Sequence, residues 1–376
     1  MRRDVEPRRI LAVNLNYLGD ALFTTPALAA IAGRLPGAQI DVLAGERAAA
    51  ILEGSPHISR LFVRPPHGGL GRAETLLHTL RGAEYDAVIL FQSTLANAAI
   101  AWSSRVPSRI GFSHDGCTPF LTTAVAERAP GEHAVEAYLR LAAALTGHNP
   151  GDPAAPERTR LRVELAAEDR EFADTFLRDQ ELPPPVVGLV IGATRPQKRW
   201  PEAYFARLSD KLWSAAGVSC VLLGGPEEED SARQIVAYAR SPLVSAIGRT
   251  TEKQLAALIS CLSVVVSGDS GPLHIATAVG TPVVGLFGST SPAETGPWNP
   301  EGTLPPGRRT TVLYDALPCS PCGKHPTCGG RFDCLAGLSP DRIFEAAVEM
   351  LGVSPRRVPL NVIATATAAG GEEAAL

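Results

Sequence analysis

Strand and helix patterns alternate along this chain, stop at Leu182-Pro183-Pro184-Pro185, and then begin again. Before the break, apolar runs at Ile10–Leu15, Ile40–Leu43, Leu61–Val63 and Ala87–Phe91 read as buried strands. Helical patterns at Ala21–Arg34, Glu46–Leu52 and Ala73–Arg81 separate them, and two more, at His133–Thr146 and Ala166–Asp179, lead to the prolines. Beyond the break, strands at Val186–Ile191, Val218–Leu223, Leu262–Val266 and Val283–Phe287 alternate with helices at Glu202–Ala216, Glu227–Arg240, Thr251–Cys261 and from Gly271. A last helix opens at Ser339-Pro340-Asp341 and runs to Leu351. Such alternation with short turns builds βαβ units, and so a parallel sheet covered on both faces. Three consecutive prolines remove backbone donors and hold the chain extended, which suits a semi-rigid linker. The expectation is an α/β protein of two doubly wound domains, 1–182 and 183–355. The Ala-, Gly- and Thr-rich end, 356–376, is expected to be disordered.

The 376 residues carry 35 Lys and Arg against 39 Asp and Glu, a net charge of −4 that argues against a general nucleic-acid binder. An apolar fraction of 45% is too high for a disordered chain. No stretch reaches the roughly 18 apolar residues of a membrane span. The apolar run after the basic start is too short for a signal-peptide core and is interrupted by Asn14, so a cytoplasmic location is expected.

In doubly wound folds ligands bind at the carboxyl ends of the strands, so the loops after strands carry the chemistry. The first, Asn14 to Asp20, has no G-x-G-x-x-G, which counts against NAD and against an oxidoreductase reading. Asp20 suits a general base facing a neutral hydroxyl; equally, it could cap a helix beside a turn glycine. The second loop, Gly192 to Pro201, gathers Thr194, Arg195, Lys198 and Arg199, a hydroxyl and cations able to clamp a diphosphate. Its alternative is a solvated basic loop with Trp200 as a core anchor.

The third loop, Gly268-Asp269-Ser270-Gly271-Pro272-Leu273-His274, enters a helix whose free N–H groups can receive phosphate oxygens. His274 lies near the same mouth, or is a structural histidine among apolar neighbours. In the fourth, Gly224-Gly225-Pro226-Glu227, the carboxylate can accept from a ribose hydroxyl, or simply favours the start of a helix. Late in the chain Cys319, Cys322, Cys328 and Cys334 could together hold a structural zinc ion, or remain reduced, partly buried thiols.

Taken in order, Leu18 to Leu28, Lys198-Arg199-Trp200-Pro201, Gly224-Gly225-Pro226 and Asp269 to His274 resemble the glycosyltransferase family 9 heptosyltransferases. The resemblance spans Ile10 to Leu351 and includes the cysteine cluster followed by a Ser-Pro helix start. It implies a GT-B fold, two Rossmann-like domains facing a central cleft, with the acceptor on the first and the nucleotide sugar on the second. The implied reaction is an inverting, metal-independent transfer of heptose, or a related sugar, from ADP-heptose to a lipopolysaccharide core or similar glycolipid acceptor.

Other nucleotide sugars, or a non-catalytic sugar-nucleotide binder, are the alternatives. By the resemblance, Asp20 is the base, Thr194 and Lys198 hold the donor phosphates, and Glu227 takes the ribose. Asp269 lies near the transferred sugar, Ser270 and Gly271 offer backbone to the phosphates, and His274 lines the site. No cofactor is required, and transient contact with the cytoplasmic face of the inner membrane is implied. One departure stands out: the first loop lacks the cation that family members often carry there, having Asn14, Asn16 and Tyr17 instead.

Overall fold

A computed structural model describes residues 6–14, 17–64, 70–114, 116–147, 160–300 and 310–353. The first half runs β1 (Arg9–Asn14), α1 (Leu18–Arg34), β2 (Gln39–Gly45), α2 (Glu46–Leu52), β3 (Arg60–Arg64), α3 (Leu70–Arg81), β4 (Ala87–Leu90) and α4 (Leu95–Ser103). It continues through β5 (Ser108–Phe112), β6 (Thr123–Val125), α5 (Ala134–Thr146) and α6 (Ala167–Asp179). The second half runs β7 (Val186–Val190), α7 (Glu202–Lys211), β8 (Ser219–Leu223), α8 (Glu229–Tyr238), β9 (Leu243–Ser245) and α9 (Glu252–Ser260). It ends with β10 (Val264–Gly268), α10 (Gly271–Val279), β11 (Val283–Phe287), α11 (Pro292–Thr295), β12 (Thr310–Tyr314), α12 (Asp333–Ala336) and α13 (Pro340–Leu351).

Each half builds one parallel six-stranded sheet, in the orders β3-β2-β1-β4-β5-β6 and β12-β11-β10-β7-β8-β9. The second order is the first repeated in reverse, so both sheets turn direction beside their opening strand, between β1 and β4 and between β7 and β10. The central strands β1, β4, β7, β10 and β11 are apolar and almost wholly buried, as sheets covered on both faces require. These are the two doubly wound halves that the alternation predicts, in the GT-B arrangement that the resemblance implies. The expected tail, 356–376, lies outside the described residues.

One core cluster crosses between the halves, joining Leu18, Leu22, Leu28 and Ile31 of α1 to Leu273, Ile275 and Ala276 of α10. Helix α6 precedes the prolines in sequence, yet packs on α9 of the second half. The segment leading to it is tied to α1, because Thr25 Oγ1 accepts from the Arg162 N–H at 3.1 Å.

Helix α1 begins at Leu18, three residues before the start expected at Ala21, so Asp20 lies in its first turn and is not its cap. Pro26, inside this helix, supplies no N–H for the Leu22 carbonyl. The Thr25 hydroxyl donates to that carbonyl at 2.7 Å, and Thr24 donates to Ala21 O at 2.7 Å. Two buried threonines thus carry α1 past its proline. The helix expected over Glu202–Ala216 is continuous but widens to a π-turn at Leu212–Ala216, closed by Gly217 in the left-handed conformation (φ 68°).

Candidate functional site

The two turning points of the sheets face one another, and the motif loops meet there. In the first half Asn14, at the end of β1, is 2% exposed. Its Nδ2 donates to Asp20 O at 3.2 Å and reaches Thr24 Oγ1 at 3.5 Å, bracing the first turn of α1 against the strand. Asp20 keeps part of its surface accessible. Burial raises its pKa above the ordinary carboxylate value of 3.8, although His274, Lys198 and Arg128 pull it the other way. A carboxylate held at a raised pKa among cations has the character a general base needs.

Opposite it, Lys198 ends a single helical turn, Pro196–Lys198, that follows β7. Its Nζ donates to Asp269 Oδ2 at 2.6 Å and lies 3.4 Å from Asp269 O. Asp269, just past the end of β10, is 6% exposed. Thr295 Oγ1 lies 3.3 Å from its Oδ2, and His274 Nε2 lies 3.6 Å from its Oδ1. Burial alone would raise the Asp269 pKa, but His274 and Lys198 overcome it and hold the carboxyl well below the usual range.

Gly268 permits this geometry, since a Cβ there would stand 2.8 Å from the Lys198 carbonyl. Ser270 occupies the N-cap position of α10 without a side-chain cap bond; its hydroxyl instead pairs with Ser267 Oγ at 3.1 Å. Gly271 opens the helix, with Leu18 of α1 so close that a Cβ would stand 2.9 Å from its Cδ2. His274 is 3% exposed, and its Nδ1 is buried with no hydrogen-bond partner.

The remaining donor-side residues sit on the rim. Thr194 is exposed in the loop after β7. Trp200 is the core anchor of its alternative reading: it is buried and its Nε1 donates to Leu338 O at 2.9 Å. Glu227 is exposed and pairs with Arg47 of α2 at 3.3 Å, while Arg47 Nε also meets Glu252 Oε1 at 2.7 Å. Its neighbour Glu228 points inward, 5% exposed, and accepts from Gly225 N at 2.9 Å. Burial and the adjacent Glu227 raise the Glu228 pKa. Sequence spacing alone does not show which of three consecutive glutamates faces inward.

Three further residues reach the cleft from segments that carry no motif. Arg47 comes from α2. Arg128, which acts on the Asp20 charge, also pairs with Glu294 of the second half at 3.0 Å. His133 caps α5, and its Nε2 lies 3.1 Å from Gly296 O of the second half. Only the folded arrangement reveals these residues, because no local spacing marks them.

The four late cysteines differ in exposure. Cys319 is exposed, Cys322 and Cys328 are partly exposed, and Cys334 is buried against Gly288. Among the described residues no three His, Cys, Asp or Glu side chains converge as a metal-ligand group, and all seven cysteines are free thiols.

Two doubly wound sheets, with a carboxylate on one and a lysine–aspartate pair at a helix N-terminus on the other, have the architecture of the GT-B class. Residues 74–326 match the family model described as glycosyltransferase family 9 (heptosyltransferase), and the chain belongs to that family. Lipopolysaccharide heptosyltransferase 1 of Pseudomonas aeruginosa is 29% identical over 91% of this chain and 98% of its own length. The glycosyl transferase family 9 structure from Veillonella parvula has a TM-score of 0.77 at 25% identity, covering 92% of this chain and 97% of that one. E. coli ADP-heptose LPS heptosyltransferase II has a TM-score of 0.72 at 22% identity, over 91% and 98% of the two chains.

Proposed function

We propose that this glycosyltransferase moves a heptose from ADP-heptose to a lipopolysaccharide-core acceptor with inversion at the anomeric carbon. The observation that carries the reading is the placement of Asp20 across the cleft from Lys198, Asp269 and His274, close enough for Lys198 and His274 to act on its charge. In this reaction the acceptor hydroxyl gives its proton to the Asp20 carboxylate as its oxygen attacks the anomeric carbon. The bond from that carbon to the diphosphate breaks on the opposite face, and ADP leaves with the electron pair. Inversion follows from attack and departure on opposite faces.

Charge growing on the leaving diphosphate is met by Lys198 and by the N-terminus of α10 at Ser270 and Gly271, with Thr194 adding a hydroxyl. These groups supply the neutralisation without calling on a divalent ion. Asp269 sets the height of the Lys198 ammonium and, with His274, lines the pocket for the transferred sugar. Glu227 takes the ribose hydroxyls at the rim, beside the inward-facing Glu228. Arg128 provides the cation beside the base that the first loop lacks, and suits an anionic group on the acceptor. The domain limits proposed are 1–182 for the acceptor and 183–355 for the donor, with α6 leaning on the latter. A glycolipid acceptor would bring the protein to the cytoplasmic face of the inner membrane. No described helix is long and apolar enough to cross it.

The test is product detection by mass spectrometry with ADP-heptose and a panel of core acceptors, comparing the wild type with Asp20→Ala. Transfer by the wild type and its loss in the variant, with ADP binding retained, is the expected result. Equal transfer by both would remove Asp20 from the mechanism. Binding of ADP-heptose with no product from any acceptor would mark a protein that holds the donor without using it.

A further inference from the structure

His133 lies far in sequence from every motif loop, yet joins the two halves at the catalytic cleft. It stands at the N-cap of α5, where its Nδ1 accepts from the Val135 N–H at 3.2 Å and Glu136 returns a bond to its own N–H at 3.2 Å. The other ring nitrogen, Nε2, faces Gly296 O of the second half at 3.1 Å. A backbone N–H can only donate and a backbone carbonyl can only accept. Both bonds exist together only in the neutral imidazole with its proton on Nε2. Burial agrees, pushing the imidazole down to about 4 against the opposing pull of the Gly296 carbonyl.

Around this ring runs a row of aromatic contacts that passes from one half to the other and back. Trp298 of the second half lies 4.6 Å from the His133 ring, and Phe23 of α1 lies 5.3 Å away on its edge. Phe23 in turn meets His274 of α10 at 4.4 Å. One turn of helix separates Phe23 from Asp20, and His274 faces Asp269. The charged and titratable groups that act on His133 are His274 from α10 and Arg128 from the segment before α5.

We propose that His133 is a positioning residue for glycosyl transfer. Held neutral, it clasps the acceptor half to the Gly296–Trp298 segment, and through Phe23 and His274 it fixes where Asp20 stands over the donor pocket. The inference rests on the transfer reaction proposed above, but the clasp itself is readable without that reaction.

The variant that isolates the clasp is His133→Asn. Asparagine keeps the helix cap, because its side-chain oxygen replaces Nδ1. It is too short to reach Gly296 and has no ring for Phe23 and Trp298. In the wild type, 15N-histidine spectra at neutral pH should show one neutral imidazole with its proton on Nε2. Small-angle scattering with ADP present should give a larger radius of gyration for the variant. Its kcat should fall by about tenfold or more, as misplaced groups do, while ADP affinity by calorimetry changes less than twofold.

His133→Ala, which also loses the cap, should melt earlier than His133→Asn but show the same fall in kcat. A wild-type radius and kcat in His133→Asn would overturn the proposal, as would a protonated or Nδ1–H imidazole in the wild type. A wild type that closes normally but transfers no heptose would refute the reaction and leave the clasp standing.

Discussion

Gly19→Ala pits two known effects against each other at a close contact between the halves. Gly19 is the second residue of α1, and replacing a helical glycine with alanine ordinarily stabilises by about 0.5–1 kcal/mol. Here the added Cβ would stand 2.7 Å from Cδ2 of His274. Carbon atoms in contact prefer about 3.5–4.0 Å, so the ring or the helix must retreat by about 1 Å. The His274 ring has little room, with Phe23 at 4.4 Å and Asp269 Oδ1 at 3.6 Å from its Nε2. Overpacking of this kind costs about 1–3 kcal/mol, which outweighs the helix gain. The net expectation is a loss of about 1–2 kcal/mol, read as a lower denaturant midpoint with unchanged m-value. A 1 Å displacement between Asp20 and the donor pocket should also lower kcat by about a hundredfold. The assays are urea unfolding and initial rates on the same preparation. A higher midpoint with wild-type kcat would show that the halves do not meet through Gly19 and His274 in solution.

Lys198→Ala should weaken ADP binding at least tenfold by calorimetry. It should also lower the melting temperature, because it leaves Asp269 a buried anion without its ammonium (2.6 Å in the intact pair); unchanged ADP affinity would place the diphosphate elsewhere. Asp20 should give kcat an acid limb, with activity rising with pH as the carboxyl ionises above its ordinary value of 3.8. Because its folded pKa is raised, the native state holds a proton that the unfolded chain has released. Stability should therefore decline as pH rises from 3.8 through the folded value, and Asp20→Asn should lack that decline in denaturation measured across pH. Thr25→Val removes the hydroxyl that bonds Leu22 O above Pro26 and receives the Arg162 N–H, and should cost about 1–3 kcal/mol. Thr25→Ser should restore most of it, and equal stability in all three would deny the hydroxyl its part in α1.

What could be read from sequence follows from what each signal depends on. The central strands were legible because burial on both faces leaves uninterrupted apolar runs, as at Ala87–Leu90 and Val283–Phe287. The outer strands β5, β6, β9 and β12 were not, since they are only partly buried and carry Arg, Ser and Thr. Helix α4 escaped notice for the opposite reason: Leu95 and Trp102 are exposed, so its outer face carries no polar contrast to set a helical period. The start of α1 was misplaced because Gly19 looks like a turn residue. Its lack of a side chain in fact serves the approach of His274.

The candidate site divides along the same line. Asp20, Lys198, Asp269 and His274 are legible as candidates because the fold class places the ends of β1, β7 and β10 together, where doubly wound folds bind ligands. That Glu228 turns inward beside the exposed Glu227 is not legible in the sequence, because the direction is set by the short turn at Pro226–Glu228, which no helical period describes. Arg128 shows how a departure in one segment is answered from another. Asn14 stands where a cation might be expected, and a buried cation there would have no carboxylate free to pair with it except the base itself. Such a pairing would hold the Asp20 pKa down and weaken it as a base. Asn14 instead binds the Asp20 carbonyl and leaves the carboxylate alone, while positive charge arrives from Arg128, already held by Glu294 at 3.0 Å. Burial then prevails in setting the Asp20 pKa, which is what the proposed role as base asks of it, and Arg128 stays near enough to act on its charge.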